Sequence, residues 1–255
     1  MVISNKYKFI FIKTSKIGGT SLELFLSGIC GENDILTPLW HAEKEHIARN
    51  FKKYFNPFPE IGKRIWNEKR INNIGLKNTL SNFLDKDMYF ENIPAWQLKC
   101  RIPKNIWDNY YKFTVERNPW DKCVSRYFHC KTIFEEKHKK ELSFDMWYKY
   151  FQQRLNEPWV TTAWGSESPY NYPRYCDPWT NEILVDYVCR YENLNDELKK
   201  VFTLLGISFN GLQQYKAKSH YRKDRRPYQD FLDVKYADAI GDVFKKEIDL
   251  MKYTF

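Results

Sequence analysis

"YKFIFIKTSKIGGTS", residues 7–21, decides the fold. Residues 7–12 are a short aromatic and β-branched run without polar alternation, the composition of a buried strand. Residues 14–19 form a loop. From Thr20 the apolar residues Leu22, Phe25, Leu26 and Ile29 recur at helical spacing, and Gly31 can stop that helix. Strand, glycine loop and helix in this order open an α/β unit. Gly18 and Gly19 lack Cβ atoms, so backbone N–H groups can close on a ligand oxygen. The helix that follows presents the positive end of its dipole. Thr20 and Ser21 add hydroxyl donors, and Lys16 adds a point charge. The order is not the G-x-x-x-x-G-K-[ST] of nucleotide triphosphatases, because the lysine precedes the glycines. An ordinary strand-to-helix turn is the bland alternative, but K-x-G-G-T-S directly after a buried strand favours an anion site.

Outward from this unit the same alternation continues. A second strand is expected at 110–116, ending at Arg117. Asn118 can cap the next helix and Pro119 fits its first position. Ser143 can cap a helix striped by Phe144, Trp147, Tyr148, Phe151 and Leu155. A third strand, "ILVDYVCRY", ends near Arg190, followed by a helix that Gly206 closes. A last helix is expected over about 229–252. Residues 41–90 read as short helices outside the sheet, and 156–182 as an irregular segment rich in proline and aromatics. Strands alternating with helices imply an α/β fold with a central, mostly parallel sheet flanked by helices in three layers. Ligands bind such sheets at the carboxyl ends of the strands, where Lys16, Arg117 and Arg190 fall.

The 255 residues suit one domain, 1–255, because no linker or low-complexity tract divides them. The formal charge of +9 favours anionic partners. It is uneven, with six Lys/Arg against one Asp in "KAKSHYRKDRR", residues 216–226. No stretch approaches the ~18 apolar residues of a membrane span, and the N-terminal apolar run leads straight into the glycine loop, unlike a leader peptide. The six cysteines show neither C-x-x-C nor metal spacing, so they read as reduced, mostly buried thiols of a cytoplasmic protein.

A second constellation is "RNPWDKCVSRY", residues 117–127. Arg117 leaves a strand end, and Ser125 lies two helical turns further on, facing back. A guanidinium and a hydroxyl so placed can share one phosphate. A capped helix with a surface arginine is the alternative reading of the same residues.

Together the two motifs resemble the sulfotransferases that use 3′-phosphoadenosine 5′-phosphosulfate, in the branch that includes many carbohydrate sulfotransferases. That family's P-K-T-G-G-T-S-like loop reads S-K-I-G-G-T-S here, with Ser15 for the proline and Ile17 for the threonine. Its R-N-P-W-D-R-x-x-S-x-Y segment differs only at Lys122. "VDYVCRYENLNDEL" is similar to the family's D-x-x-x-R-[FY]-E-[ND]-L run. The resemblance covers roughly 1–30, 93–130 and 183–255, and is weak over 41–90 and 156–182, expected to be acceptor-side insertions. It implies a P-loop-like fold in which Lys16, Gly18, Gly19, Thr20 and Ser21 hold the phosphosulfate. Arg117 and Ser125 would hold the 3′-phosphate, and Tyr191 would lie near the adenine. Lys218 and Ser219 would close over the nucleotide.

The implied reaction is sulfuryl transfer to a hydroxyl or amine on a carbohydrate or an anionic acceptor. It releases adenosine 3′,5′-bisphosphate and requires no metal. Lys16 would stabilise charge on the departing oxygen. Where relatives show H-x-x-A before Q-[LI]-K, this chain reads "NIPAWQLK", with Asn92 at the histidine position. Asparagine takes no proton, so His41 in "PLWHAEKEH" is the first candidate base, with Glu23, Glu91 and His220 as alternatives. Trp159, Trp164, Tyr170, Tyr172 and Trp179 are candidates to stack sugar rings, or to pin their own loop. The lack of a leader or anchor suits a bacterial or viral cytosolic enzyme. A P-loop-like kinase would need G-K-[ST] and a magnesium-holding Asp, and a nucleic-acid-binding protein would leave both phosphate loops without a role.

Overall fold

The computed structural model describes residues 1–39, 46–67, 73–155, 170–215, 224 and 226–255. Among these residues five strands, β1 (Val2–Ser4), β2 (Phe9–Phe11), β3 (Ile35–Leu36), β4 (Tyr111–Glu116) and β5 (Tyr187–Arg190), form one sheet in the order β3-β1-β2-β4-β5. The β2–β4 and β4–β5 pairs are parallel, while β1 pairs antiparallel with both β2 and β3. The sheet is therefore mixed, where a mostly parallel one was expected. The cause is a tight reversal at residues 5–8, in which Tyr7 N–H donates to Ser4 Oγ at 3.2 Å and Asn5 N–H to Asp34 Oδ1 at 2.7 Å. Lys8 takes a left-handed φ of 54° there. A three-residue strand ahead of that turn was too short to carry a pattern.

Alternation along β2 sends Phe9 and Phe11 to one face and Ile10 and Ile12 to the other. Both faces are apolar and covered. On one, Phe9, Phe11, Phe113 and Val115 pack with helix α1 (Gly19–Ile29) through Leu22, Phe25 and Leu26. On the other, Ile3, Ile10 and Ile12 share a core with Ile93, Trp96, Leu98 and Trp107.

Helices α2 (Phe58–Asn67) and α3 (Asn73–Leu84) belong to the expected 41–90 insertion. They join α4 (Ala95–Arg101) through the fully buried Glu60. Its carboxylate accepts from Thr79 Oγ1, from Gln97 Nε2 at 2.7 Å and from Arg101 Nε at 2.8 Å. After α5 (Lys104–Asn109) and β4 comes α6 (Pro119–His138). Asn118 caps it as expected, its side-chain oxygen accepting from Trp120 N–H at 3.0 Å. Ser143 likewise caps α7 (Phe144–Leu155), accepting from Met146 N–H at 3.2 Å.

The short α8 (Tyr172–Tyr175) precedes β5, and α9 (Leu194–Leu204) follows it, with Gly206 at φ 67° closing the turn. The third strand is shorter than "ILVDYVCRY", because Leu184 N–H turns to Tyr175 O at 2.8 Å instead of joining the ladder. The expected last helix is broken into α10 (Tyr228–Phe231), α11 (Val234–Val243) and α12 (Lys245–Met251). Asp233 starts a new helix by accepting from Tyr236 N–H at 3.1 Å, and Phe244 bends the chain at φ −103°, ψ 25°. Among the described residues no helix is long and apolar enough to cross a membrane. Cys123, Cys176 and Cys189 are buried, the other three cysteines half-buried, and all six are free thiols.

Candidate active site

Because β2 and β4 run parallel in register, Phe11 opposite Phe113, their carboxyl ends open on the same edge. Thr114 Oγ1 donates to Ile12 O at 2.7 Å and Thr14 Oγ1 donates to Val115 O, which locks the two exits together. The glycine loop and Arg117 therefore emerge side by side. Gly18 is the N-cap of α1, with φ 69°, and no side chain caps the helix or places an acid in its first turn. That leaves the positive end of the helix dipole without a carboxylate neighbour on its own first turn.

The two lysines of the loop are separated by the fold. Lys13 is buried, and its ammonium pairs with Glu23 on α1 and with Glu91. Burial alone would lower its pKa, but the two carboxylates outweigh that and hold it above the usual lysine value. Glu23 is equally buried. Desolvation pushes its pKa up, but the Met1 ammonium and Lys13 together pull it below the usual range. Gly19 is required by the packing itself, since a Cβ there would lie 3.0 Å from Lys13 Cε and 3.4 Å from Cγ. The glycine leaves room for the lysine stem.

Lys16 is half-buried and holds a left-handed φ of 61°, a conformation side chains rarely adopt. Its carbonyl accepts from Arg117 Nη1 at 2.9 Å, a direct bond between the glycine loop and the segment that opens α6. Asp121, one turn into α6, accepts from Arg117 Nε at 2.8 Å and sits 2.7 Å from Nη2. The guanidinium lies 4.3 Å from the ring centroid of Tyr191, and Gly18 packs against the same ring. Lys16, Gly18, Arg117 and Tyr191 thus form one cluster. Thr20 and Ser21 lie in the first turn of α1, and Ser125 is half-buried on α6, two turns beyond the cap. His41, Lys218, Ser219, His220, Trp159 and Trp164 lie outside the described residues.

Several residues around the cluster had no role in the sequence reading. Glu116 ends β4 fully buried, and four donors satisfy it. They are Arg117 N–H at 3.0 Å, Lys122 Nζ at 3.3 Å, Asn171 Nδ2 at 2.9 Å and Tyr175 OH at 3.1 Å. Its signal was visible as a lone acid at the end of the apolar "YYKFTVE". Glu192, in the third motif, accepts from Asn118 N–H at 2.7 Å and from Tyr253 OH at 3.1 Å, tying that motif to the start of α6. Arg190, expected at the ligand edge, turns away to Met251 O and the Tyr253 ring. Asn92 sits next to Glu91, hence beside the loop, and its carbonyl accepts from Arg174 Nη1 at 2.9 Å. Arg174 is buried, and desolvation, helped by the nearby positive charge of Arg126, lowers its pKa to about 10.

The described aromatics of the irregular segment are packed on protein. Tyr170 meets Phe244, Tyr172 meets Tyr175, and Trp179 meets Trp96 edge-on at 4.9 Å. Among the described residues, no group of three or more His, Cys, Asp or Glu is arranged to hold a metal ion.

Among known proteins, a family model described as the sulfotransferase family matches residues 1–254. An uncharacterized protein of Archaeoglobus fulgidus is 33% identical over 116 residues, 45% of this chain and 83% of its own.

Proposed function

The chain belongs to the sulfotransferase family, and we propose that it moves a sulfuryl group from 3′-phosphoadenosine 5′-phosphosulfate to a hydroxyl or amine of a carbohydrate or an anionic acceptor. The observation that carries the donor assignment is the bond from Arg117 Nη1 to Lys16 O, which sets a guanidinium against the glycine loop. The residues fit such a donor. The first turn of α1 carries no acid, and Arg117 gives one N–H to Asp121 and one to Lys16, with Nη2 2.7 Å from the Asp121 carboxylate, so at least two of its five N–H groups remain for a ligand.

In this reading Gly18, Gly19, Thr20 and Ser21 form the P-loop-like cradle of the 5′-phosphosulfate. Arg117 and Ser125 take the 3′-phosphate, and Tyr191 borders the adenine. Lys218 and Ser219 cover the nucleotide. The donor supplies sulfur activated by a phosphate leaving group. The acceptor oxygen or nitrogen bonds to sulfur as the bond from sulfur to the 5′-phosphate oxygen breaks. Lys16 balances the negative charge that gathers on that oxygen, and adenosine 3′,5′-bisphosphate leaves. His41 takes the acceptor proton. Glu23 is a poor alternative, because it is shut from solvent between two ammonium groups. Glu91 keeps partial exposure but is paired with Lys13. No metal is needed where a lysine, an arginine and backbone dipoles already meet the charge.

The test is transfer of labelled sulfate from the donor to a panel of sugars and amines. Lys16→Ala should lower turnover by about 100-fold or more, the scale of losing one preorganised donor, with a smaller loss of donor affinity. Near-normal turnover in that variant rules out the role given to Lys16.

A further inference from the structure

We propose that Asn171 is a positioning residue of the donor loop, fixing the Ser15 peptide so that Lys16 is aimed at the leaving oxygen; this rests on the sulfuryl-transfer reading above. Asn171 is fully buried. Its Oδ1 accepts from Ser15 N–H at 2.8 Å while its Nδ2 donates to Ser15 O at 3.2 Å. The side-chain amide thus pairs with both polar groups of one residue, as a neighbouring strand would. The same Nδ2 donates to Glu116 Oε1 at 2.9 Å, and the Asn171 backbone N–H donates to Glu247 Oε1 at 3.3 Å. The amide is thereby held from behind by groups that do not belong to the loop.

The need for such a fixture lies in Lys16. Its left-handed backbone is unfavourable for a residue with a Cβ, so the conformation persists only if its surroundings impose it. Two side chains do so. Asn171 grips the peptide before Lys16, and Arg117 grips the carbonyl after it. Only an amide suits the first position. Aspartate would turn an acceptor toward both Ser15 O and the Glu116 carboxylate, and alanine would release both groups.

The test compares wild type, Asn171→Ala and Asn171→Asp. Asn171→Ala should lower turnover at saturating donor by roughly 10- to 100-fold, the upper end matching loss of Lys16 itself. Its affinity for adenosine 3′,5′-bisphosphate should change by less than about 3-fold, because the helix end and Arg117 remain. Amide hydrogen exchange should speed up at residues 15–19 and stay unchanged in the core helices. Asn171→Asp should be poor at neutral pH and recover toward mildly acid pH. Its carboxyl, facing Glu116 and Glu247 with Lys122 as the nearby cation, then takes a proton and regains a donor.

Wild-type turnover in Asn171→Ala, or equal losses of turnover and nucleotide affinity, overturns the proposal. If Asn171→Ala does not fold, the aspartate variant decides, and a flat pH response refutes it. Failure of the wild type to bind adenosine 3′,5′-bisphosphate sinks the donor assignment instead. Loop exchange then still reads the tether alone, and unchanged exchange in Asn171→Ala overturns it.

Discussion

Replacing Arg117 with alanine probes the donor assignment at its most specific point. Adenosine 3′,5′-bisphosphate and adenosine 5′-monophosphate share adenine, ribose and a 5′-phosphate, and differ only at the 3′-phosphate. Arg117 gives one N–H to Asp121 and one to Lys16, with Nη2 in ion-pair contact with Asp121, so at least two N–H groups are available to a phosphate. Hydrogen bonds to a charged partner contribute roughly 1.5–3 kcal/mol each, so the pair is worth about 3–6 kcal/mol. Asp121 stands beside the guanidinium and repels the same phosphate, which favours the lower figure. About 3 kcal/mol is on the order of 100-fold in affinity.

Wild-type protein should therefore prefer adenosine 3′,5′-bisphosphate over the monophosphate by about 100-fold or more in calorimetric titration. Arg117→Ala should weaken the bisphosphate far more than the monophosphate and erase most of that preference. Arg117→Lys keeps the charge but loses the fork, and should recover only part of it. Ser125→Ala should cost less than Arg117→Ala, since a neutral hydroxyl contributes less than a guanidinium. If the wild type binds both nucleotides equally, or if Arg117→Ala weakens both alike, the arginine does not read a 3′-phosphate.

Three further outcomes are expected. His41→Ala should abolish transfer while bisphosphate binding, followed by the same titration, stays intact; unchanged turnover would pass the role to Glu91 or His220. Gly19→Ala puts a methyl 3.0 Å from the Lys13 stem and should destabilise the fold by about 1–3 kcal/mol, an overpacking cost read by denaturant unfolding. Glu247 is buried near Glu116, and burial raises its pKa above the usual carboxylate value, against the pull of Lys122. The native state then holds a proton that the unfolded chain releases, so its contribution to stability falls as pH rises from the ordinary carboxylate range through the raised value. Glu247→Gln should flatten that decline in thermal melts taken across mildly acid to alkaline pH, and an unchanged slope would show that another group is responsible.

The strand, loop and helix at residues 7–31 could be read from sequence because each rests on local physics. A buried strand needs an apolar run, a close loop needs glycine, and an amphipathic helix needs its period. The cap at Asn118 and the stop at Gly206 were legible for the same reason, since a turn or a cap is a property of a few consecutive residues. The three motifs pointed to the family, because each is a run of residue types at fixed offsets from a strand end and so is legible without the fold.

Other features depended on residues far apart in the chain. Val2–Ser4 became a strand only because β2 and β3 offered it partners, which made the sheet mixed. The last helix broke where Asp233 found a backbone N–H to cap and Phe244 bent the chain. Lys13 and Lys16 look alike in sequence, yet Glu23 and Glu91 bury one while the other stays half-buried in the loop, its carbonyl bonded to Arg117. Asn171 carried no motif at all, since its role depends on where Ser15, Glu116 and Glu247 converge. The sequence determined the local geometry of the glycine loop and of the capped helix after Arg117, and the residue types they carry. Tertiary structure decided which charges are neutralised and which backbone is held, because a buried polar group must find its partner wherever the fold brings one within about 3 Å.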